Sequence, residues 1–483
     1  MVYYILFAVA FFLSVIYFIR SMHIFQLNMY KSAKHLKWLG GNLIKLYFFY
    51  GAGKSKKPLV YTHRVIRMCV TAGVLFALIG AVIVWFELWL ALILLLLLSP
   101  FFPIMVNAVN APLEKINNNR YINDAKRIIA AHPNLITIGV TGSYGKTSTK
   151  FFLQKLLSVR FNTLMTPESY NTTMGVVKTV RNRLLPTHEV FVCEMGMMWK
   201  GDIAEICDIV NPKHAVITSI GHQHLATMKS IENITEEKFS ITDSITDGRV
   251  FLNYDNGYIR DRKIDRNIIK YSVYESDTDY KATDISVSEK GTVFTVNAKN
   301  TQSGVCESVD FETALIGSHN VQNIVGAIAV AHEMGIPLNE LVLPVKRLEG
   351  APHRLQLLTH HQGMIIDDSF NSNPSGAKAA LDVLKMFEGV RVLITPGMVE
   401  LGEKSYDLNK VLGKQAADSC HYALLIGQRQ APPIKEGLLE GGFNPDRIHI
   451  FDSFDDGLKF ANRIDPKGQK KVILIENDLP DNY

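Results

Sequence analysis

Two stretches of this chain run too long without charge to be core strands. Residues 2–19 carry no charged side chain, and residues 68–109 carry one, Glu87, near the middle. A helix needs about 20 apolar residues to cross a bilayer, so the first stretch predicts one span. The second is twice that length and predicts two, at about 68–86 and 88–109, joined by a tight turn at Glu87. The first stretch lacks both a basic flank ahead of it and a small-residue cleavage site behind it, so it is expected to remain as an anchor.

Beyond residue 110 the pattern changes. Residues 115–127 are polar and Asn-rich, predicting a linker and connecting helix within 111–131. Apolar runs at 135–140, 190–194 and 214–220 then alternate with helical stretches, the pattern of a mainly parallel sheet. Residues 249–315 alternate polar and apolar, as at 284–288 and 292–296, and predict antiparallel strands added to that sheet. A helix is expected at 320–334, and Leu348-Glu349-Gly350-Ala351-Pro352 reads as a hinge. Strands at 364–367, 391–395, 421–426 and 471–475 form a second α/β series. The expected fold class is therefore α/β behind about three transmembrane helices. Its domains are a membrane segment at 1–110, a nucleotide-binding domain at 132–348 and a Rossmann-like domain at 352–483.

Charge sharpens this division. Residues 1–113 hold ten Lys and Arg against one acid, whereas the remainder holds 41 against 45. The basic balance belongs to the membrane segment, and the rest offers no nucleic-acid surface. All ten basic residues lie between Arg20 and Arg67 with no acid among them. The positive-inside rule places that loop, and everything after about residue 110, in the cytoplasm. Lys31, Lys34, Lys37 and Lys45, interleaved with Trp38, Leu39, Ile44 and Tyr47, fit a headgroup-facing segment and a solvated loop equally well. The five cysteines form no C-x-x-C pair and read as reduced thiols, not as a disulfide framework or zinc ribbon.

The chemistry begins at Thr141-Gly142-Ser143-Tyr144-Gly145-Lys146-Thr147-Ser148, a glycine loop between a buried strand and a helix. Such a loop turns backbone N–H groups onto phosphate oxygens, its lysine reaches the terminal phosphates, and the next hydroxyl can ligate Mg²⁺. The strict Walker form has glycine where Val140 stands, so this is a shortened variant that binds ATP or a close relative. Glu194 ends the strand at 190–194, where an acid completes Mg²⁺ coordination beside Thr147. His222 and His224 follow another strand end, and Lys238 lies further on; spacing alone favours structural roles for His224 and Lys238.

The order of these motifs resembles the Mur ligases of peptidoglycan synthesis, most nearly the MurF type. The resemblance covers about 132–425 and rests on the phosphate loop, Glu194-Met195-Gly196, His224-Leu225, Leu252-Asn253-x-Asp255, His319-Asn320-x-x-Asn323 and Asp368-Ser369-Phe370-Asn371-Ser372-Asn373-Pro374. It implies ATP-driven amide formation through an acyl phosphate. It implies Thr147 and Glu194 at a first Mg²⁺, His224 at a second metal site, and Lys238 where many members carry a carbamylated lysine. Asn320 and Asn323 match adenine contacts, and Arg354 and Asp368 match nucleotide contacts carried by a mobile C-terminal domain. Lys146, His224 and Lys238 are thus the expected catalytic set.

Four departures bear on the substrate. A membrane segment stands where the family has its UDP-sugar domain, and Thr172 replaces a common asparagine in Asn171-Thr172-Thr173-Met174-Gly175. Thr395-Pro396-Gly397-Met398-Val399-Glu400-Leu401-Gly402 departs from Gly-Asp-Met followed by Leu-Glu-Leu-Gly, and the usual Lys-Gly-Ser is missing near the end. The expected function is a membrane-anchored, ATP- and Mg²⁺-dependent acid–amino acid ligase of cell-wall synthesis. It would join a UDP-linked, lipid-linked or polymeric carboxylate to an amino acid or dipeptide amine. The alternatives are a poly-γ-glutamate-type synthase and a non-ligating ATP-binding membrane regulator. The combination of Glu194, His224 and Lys238 argues against the regulator, which needs no second metal site.

Overall fold

The computed structural model describes residues 2–48, 58–299, 304, 306–360, 363–370, 372–399 and 401–477. Asn371, Glu400 and the closing segment from residue 478, all part of the motif reading above, lie outside the described residues, as does 49–57 of the basic loop. The chain divides into two compact units, one up to Tyr121 and one from Ile122 to the last described residue, Asn477.

The first unit is helical. Tyr3–Leu27, His63–Trp85 and Ala91–Ala130 are long and apolar enough to cross a membrane. Phe18, Met22, Phe25, Met68 and Phe76 pack together inside, while Phe12, Val70, Trp85 and Leu90 face outward. This outward apolar face suits lipid better than water. The third stretch is not one straight helix: Ala91–Leu98 gives way to a short 3₁₀ turn, Ser99–Phe101, carrying Pro100, and the helix Phe102–Ala130 follows. Proline lacks the N–H an uninterrupted helix would use there. The segment expected as a linker at 111–131 is helical through Ala130.

The basic loop also differs from a plain connection, because it holds the helix Ser32–Phe48, which buries His35, Leu39 and Leu46. Arg20 donates from Nη1 to the carbonyls of Leu46 and Tyr47, both at 3.1 Å, satisfying acceptors at the helix C-terminus. Arg67 makes a two-pronged pair with Glu114 at 2.7 and 2.8 Å. Arg20 and Arg67 therefore hold structure together besides setting charge.

In the second unit the described residues form two sheets. The strands of the first are β1 (Ile136–Thr141), β2 (Thr163–Met165), β3 (Val190–Glu194), β4 (His214–Ile217), β5 (Val250–Asn253), β6 (Ile268–Ser272), β7 (Tyr280–Ser288), β8 (Gly291–Lys299) and β9 (Cys306–Thr313). Their order is β2-β3-β1-β4-β5-β6-β7-β8-β9. Pairing is parallel from β2 through β7, and only the pairs β7–β8 and β8–β9 are antiparallel. The antiparallel addition expected over 249–315 is therefore confined to its second half, since β5 and β6 extend the parallel sheet. The helix Ser318–Glu333 is buried along nearly its whole surface, as an apolar helix inside a core must be. It packs against the helix Lys146–Leu157, whose Phe152, Leu153, Leu156 and Leu157 face the same core.

The second sheet comprises β10 (Gln356–His360), β11 (Gly363–Asp368), β12 (Val390–Thr395), β13 (Tyr422–Ile426), β14 (Ile448–Phe451) and β15 (Lys471–Glu476), ordered β10-β11-β15-β12-β13-β14. All neighbours are parallel except the β10–β11 hairpin. No helix or strand covers 348–352, and left-handed φ values follow at His353 (61°) and Leu355 (48°).

Candidate active site

The site starts at a reversal of strand order. β1 lies between β3 and β4, so the loop after β1 opens into the crevice beyond three strand ends, the usual ligand position in such sheets. Register aligns Val140 with Glu194 and Thr141 with Ile217, setting the glycine loop beside the end of each neighbour. Hydrogen bonds fix that loop. Thr141 Oγ1 donates to the Met195 carbonyl at 3.1 Å, and Ser143 Oγ accepts from the Gly221 N–H at 2.9 Å. Ser219 Oγ accepts from the Tyr144 N–H at 2.9 Å. Gly145 has φ 79°, and a Cβ there would sit 2.5 Å from Asn323 Oδ1. The loop thus needs glycine where it turns into the helix.

Lys146 folds over this loop, its Nζ donating to the Gly142 carbonyl at 2.6 Å. Burial pushes its ammonium down to about 8, opposed by Glu194. Tyr144 beside it is pushed up to about 12 by burial, and Ser148 lines the adjoining cavity. Thr147 Oγ1 donates to Glu194 Oε1 at 3.2 Å, so the two residues expected at one metal do meet. Asn171 Nδ2 reaches the same oxygen at 3.0 Å. The other oxygen is taken by Lys150, whose Nζ lies 2.9 Å from Glu194 Oε2 with neither side chain more than 1% exposed. Burial acts to raise the Glu194 carboxyl, but Lys150 and then Lys146 outweigh it and hold the group below the usual carboxylate range. Sequence reasoning missed Lys150. Its signal was a second lysine four residues after Lys146, one turn along the same helix face.

His224, at φ 58°, belongs to a second group. Burial pushes its imidazole down to about 4, with Lys146 and Lys238 adding to the effect. Lys238, in the last turn of Ile231–Phe239, is fully buried, and its ammonium is driven well below the ordinary lysine range by burial and then by Lys146. Among the described residues no three His, Cys, Asp or Glu side chains gather as a ready-made metal site. What the residues offer is one buried carboxylate with a hydroxyl beside the phosphate loop, a donor set that fits a hard cation sharing its shell with phosphate oxygens.

A cavity of about 450 Å³ opens beside the loop. Tyr144, Asn320, Asn323, Arg354 and Asp368 all line it, so residues from both sheets' segments meet there. Asn320 Nδ2 is held by the Ile316 carbonyl at 3.0 Å, and Asn323 Oδ1 accepts from Thr149 at 3.3 Å. Asp255 closes the Leu252-Asn253-x-Asp255 motif. It accepts from the backbone N–H groups of Val273 and Tyr274 at 2.8 and 2.9 Å and from Gln322 Nε2 at 2.6 Å, fixing Gln322 beside the two asparagines. Arg354 lies over the Phe370 ring at 4.3 Å and is depressed by burial, which Asp368 and Glu194 oppose. Burial pushes Asp368 up to about 6 against the pull of Arg354, and its Oδ1 accepts from the Leu355 N–H at 3.2 Å. Thr172, one of the departures, caps the helix Thr173–Arg183 by accepting from the Gly175 N–H at 3.3 Å.

Comparison with known proteins agrees with this geometry. Residues 140–331 match the Mur ligase middle domain and residues 353–475 the Mur ligase glutamate ligase domain. The UDP-N-acetylmuramoyl-tripeptide–D-alanyl-D-alanine ligase of Bacillus subtilis is 32% identical over 70% of this chain and 72% of its own. The Escherichia coli enzyme of the same name is 31% identical over 58% of this chain and 61% of its own. The crystal structure of MurF from Acinetobacter baumannii superposes with a TM-score of 0.67 at 26% identity, covering 75% of this chain and 77% of that one. Fold, phosphate loop and relatives together define an ATP-dependent acid–amino acid ligase. The chain belongs to the Mur ligase family, and within it is MurF-like.

Proposed function

We propose that this protein is a membrane-anchored ligase that joins the terminal carboxylate of a muramoyl peptide to an amine of the D-alanyl-D-alanine kind. The observation carrying this reading is the convergence of Lys146, Thr147 and Glu194 at one strand-end crevice with Arg354 and Asp368 lining the adjoining cavity. ATP transfers its terminal phosphoryl group to the carboxylate, giving an acyl phosphate and ADP. The neutral amine then attacks the carbonyl carbon, phosphate leaves with the bonding pair, and the nitrogen gives up a proton to solvent as the amide forms. Lys146 is the cation placed to follow the charge on the transferring group, its Nζ held beside the loop by the Gly142 carbonyl.

Glu194 Oε1 and Thr147 Oγ1 would hold Mg²⁺, which when bound neutralises phosphate charge. His224 would serve a second ion, its imidazole kept neutral by burial and so able to ligate. Lys238 fits the carbamate reading for a related reason. Its depressed ammonium leaves neutral amine available to add to carbon dioxide, releasing a proton to solvent. The names of the relatives support a nucleotide-linked carboxylate, and none supports a lipid-linked one. Three long apolar helices support the membrane anchor.

ADP release tests the proposal. Detergent-solubilised protein is offered UDP-linked or lipid-linked muramoyl peptides, each with D-Ala-D-Ala, single D-amino acids or glutamate. Turnover requiring both a muramoyl carboxylate and D-Ala-D-Ala is the expected result. Turnover only with glutamate would replace the proposal by the poly-γ-glutamate reading.

A further inference from the structure

The pair between Lys150 and Glu194 has no place in the chemistry above. A buried ammonium occupies one oxygen of the carboxylate expected to hold a cation. Lys150 is anchored on its other side by the Glu168 carbonyl, in the turn that leads to Asn171. Asn171 and Thr147 both donate to the remaining oxygen, so among the described residues every hydrogen-bond partner of the Glu194 carboxylate is a donor and one is an ammonium. Lys146 stands close by as a second cation. One carboxylate therefore faces two ammonium groups in a water-poor crevice. A free divalent cation arriving there meets more positive than negative charge, and at low effective dielectric that opposition is large. A cation arriving with nucleotide phosphates meets the opposite balance.

We propose that Lys150 is an electrostatic gate on this cation site: it withholds Glu194 from free divalent cations, so that the metal binds only together with nucleotide. The inference rests on the reading of Glu194 as a cation ligand and adds to it an order of binding. Lys150 acts through Glu194 and is a positioning residue. The arrangement spares the site from filling with metal that phosphate oxygens have not helped to orient.

Mn²⁺ binding, followed by electron paramagnetic resonance on the detergent-solubilised full chain with and without ADP, tests the gate without requiring turnover. Wild type is expected to bind Mn²⁺ at least about tenfold more weakly without ADP than with it. Lys150→Met should strengthen nucleotide-free binding by about tenfold or more, and the double variant with Glu194→Gln should lose that gain. Lys150→Arg, which keeps the charge, should keep the nucleotide requirement. A folded Lys150→Met protein with unchanged nucleotide-free affinity overturns the gate. Should that variant fail to fold, wild type alone decides: equal affinity with and without ADP overturns it. A Glu194→Gln protein that binds Mn²⁺ with ADP as wild type does instead overturns the cation-ligand reading beneath it.

Discussion

Glu476 shows how one residue can couple the second sheet to pH. It ends β15 and is fully buried, with Oε1 accepting from Ser372 and Oε2 from Thr395 Oγ1, the latter at 2.9 Å. Burial pushes its carboxyl up to about 7; the two hydroxyls pull against this and Asp368 adds to it. A carboxyl raised on folding favours the native state only while protonated. Its contribution is complete below the ordinary glutamate range and is lost as pH rises through about 7. Glu476→Gln, neutral throughout, is therefore expected to be more stable than wild type at pH 8, by up to about 3 kcal/mol, with the gap closing toward pH 4.5. Thermal melts of both proteins across that range check it. Parallel curves would mean that the charge is accommodated without cost.

At the scale of elements, the phosphate loop meets the helix Ser318–Glu333 at a glycine. Gly145 combines a left-handed φ of 79° with a would-be Cβ only 2.5 Å from Asn323 Oδ1. Gly145→Ala should cost about 1–2 kcal/mol in backbone strain, and it must also displace the Asn323 amide that helps line the cavity. The expected outcome is a modest fall in melting temperature with a disproportionate loss of ADP affinity, about tenfold or more by calorimetry. Loss of stability with wild-type ADP affinity would show that Asn323 has no part in holding the nucleotide.

For the whole molecule, the unequal charge distribution sets the expected orientation. Ten basic residues between Arg20 and Arg67 face no acid, and three apolar stretches flank or follow them. An odd number of spans puts the two ends on opposite sides. A tag at the N-terminus should be reached by a membrane-impermeant reagent on intact cells, and a tag at the C-terminus only after permeabilisation. Both ends reacting alike would require an even number of spans and remove the hairpin expected around Glu87.

The sequence by itself determined whatever depends on spacing along a few turns of chain. The apolar stretches, the strand before the glycine loop, the lysine that follows it and the two α/β series are local patterns, and β3 lies at the residues expected. The strand-end position identified Glu194, resemblance added Asn320, Asn323, Arg354 and Asp368 as candidates, and all five surround one crevice or line its cavity. The helix Ser32–Phe48 escaped because its interleaved lysines and aromatics suit a loop as well as a helix; burial of Leu39 and Leu46 selected the helix. Only the tertiary structure decided that β5 and β6 pair in parallel, that Asp255 holds Gln322, and that Lys150 faces Glu194. The physical reason is common to all three. Such contacts join residues between 18 and 67 positions apart, and they arise from strand order, here β3-β1-β4 and its extension. Alternation of apolar and polar residues specifies that a strand exists but not which strand lies beside it.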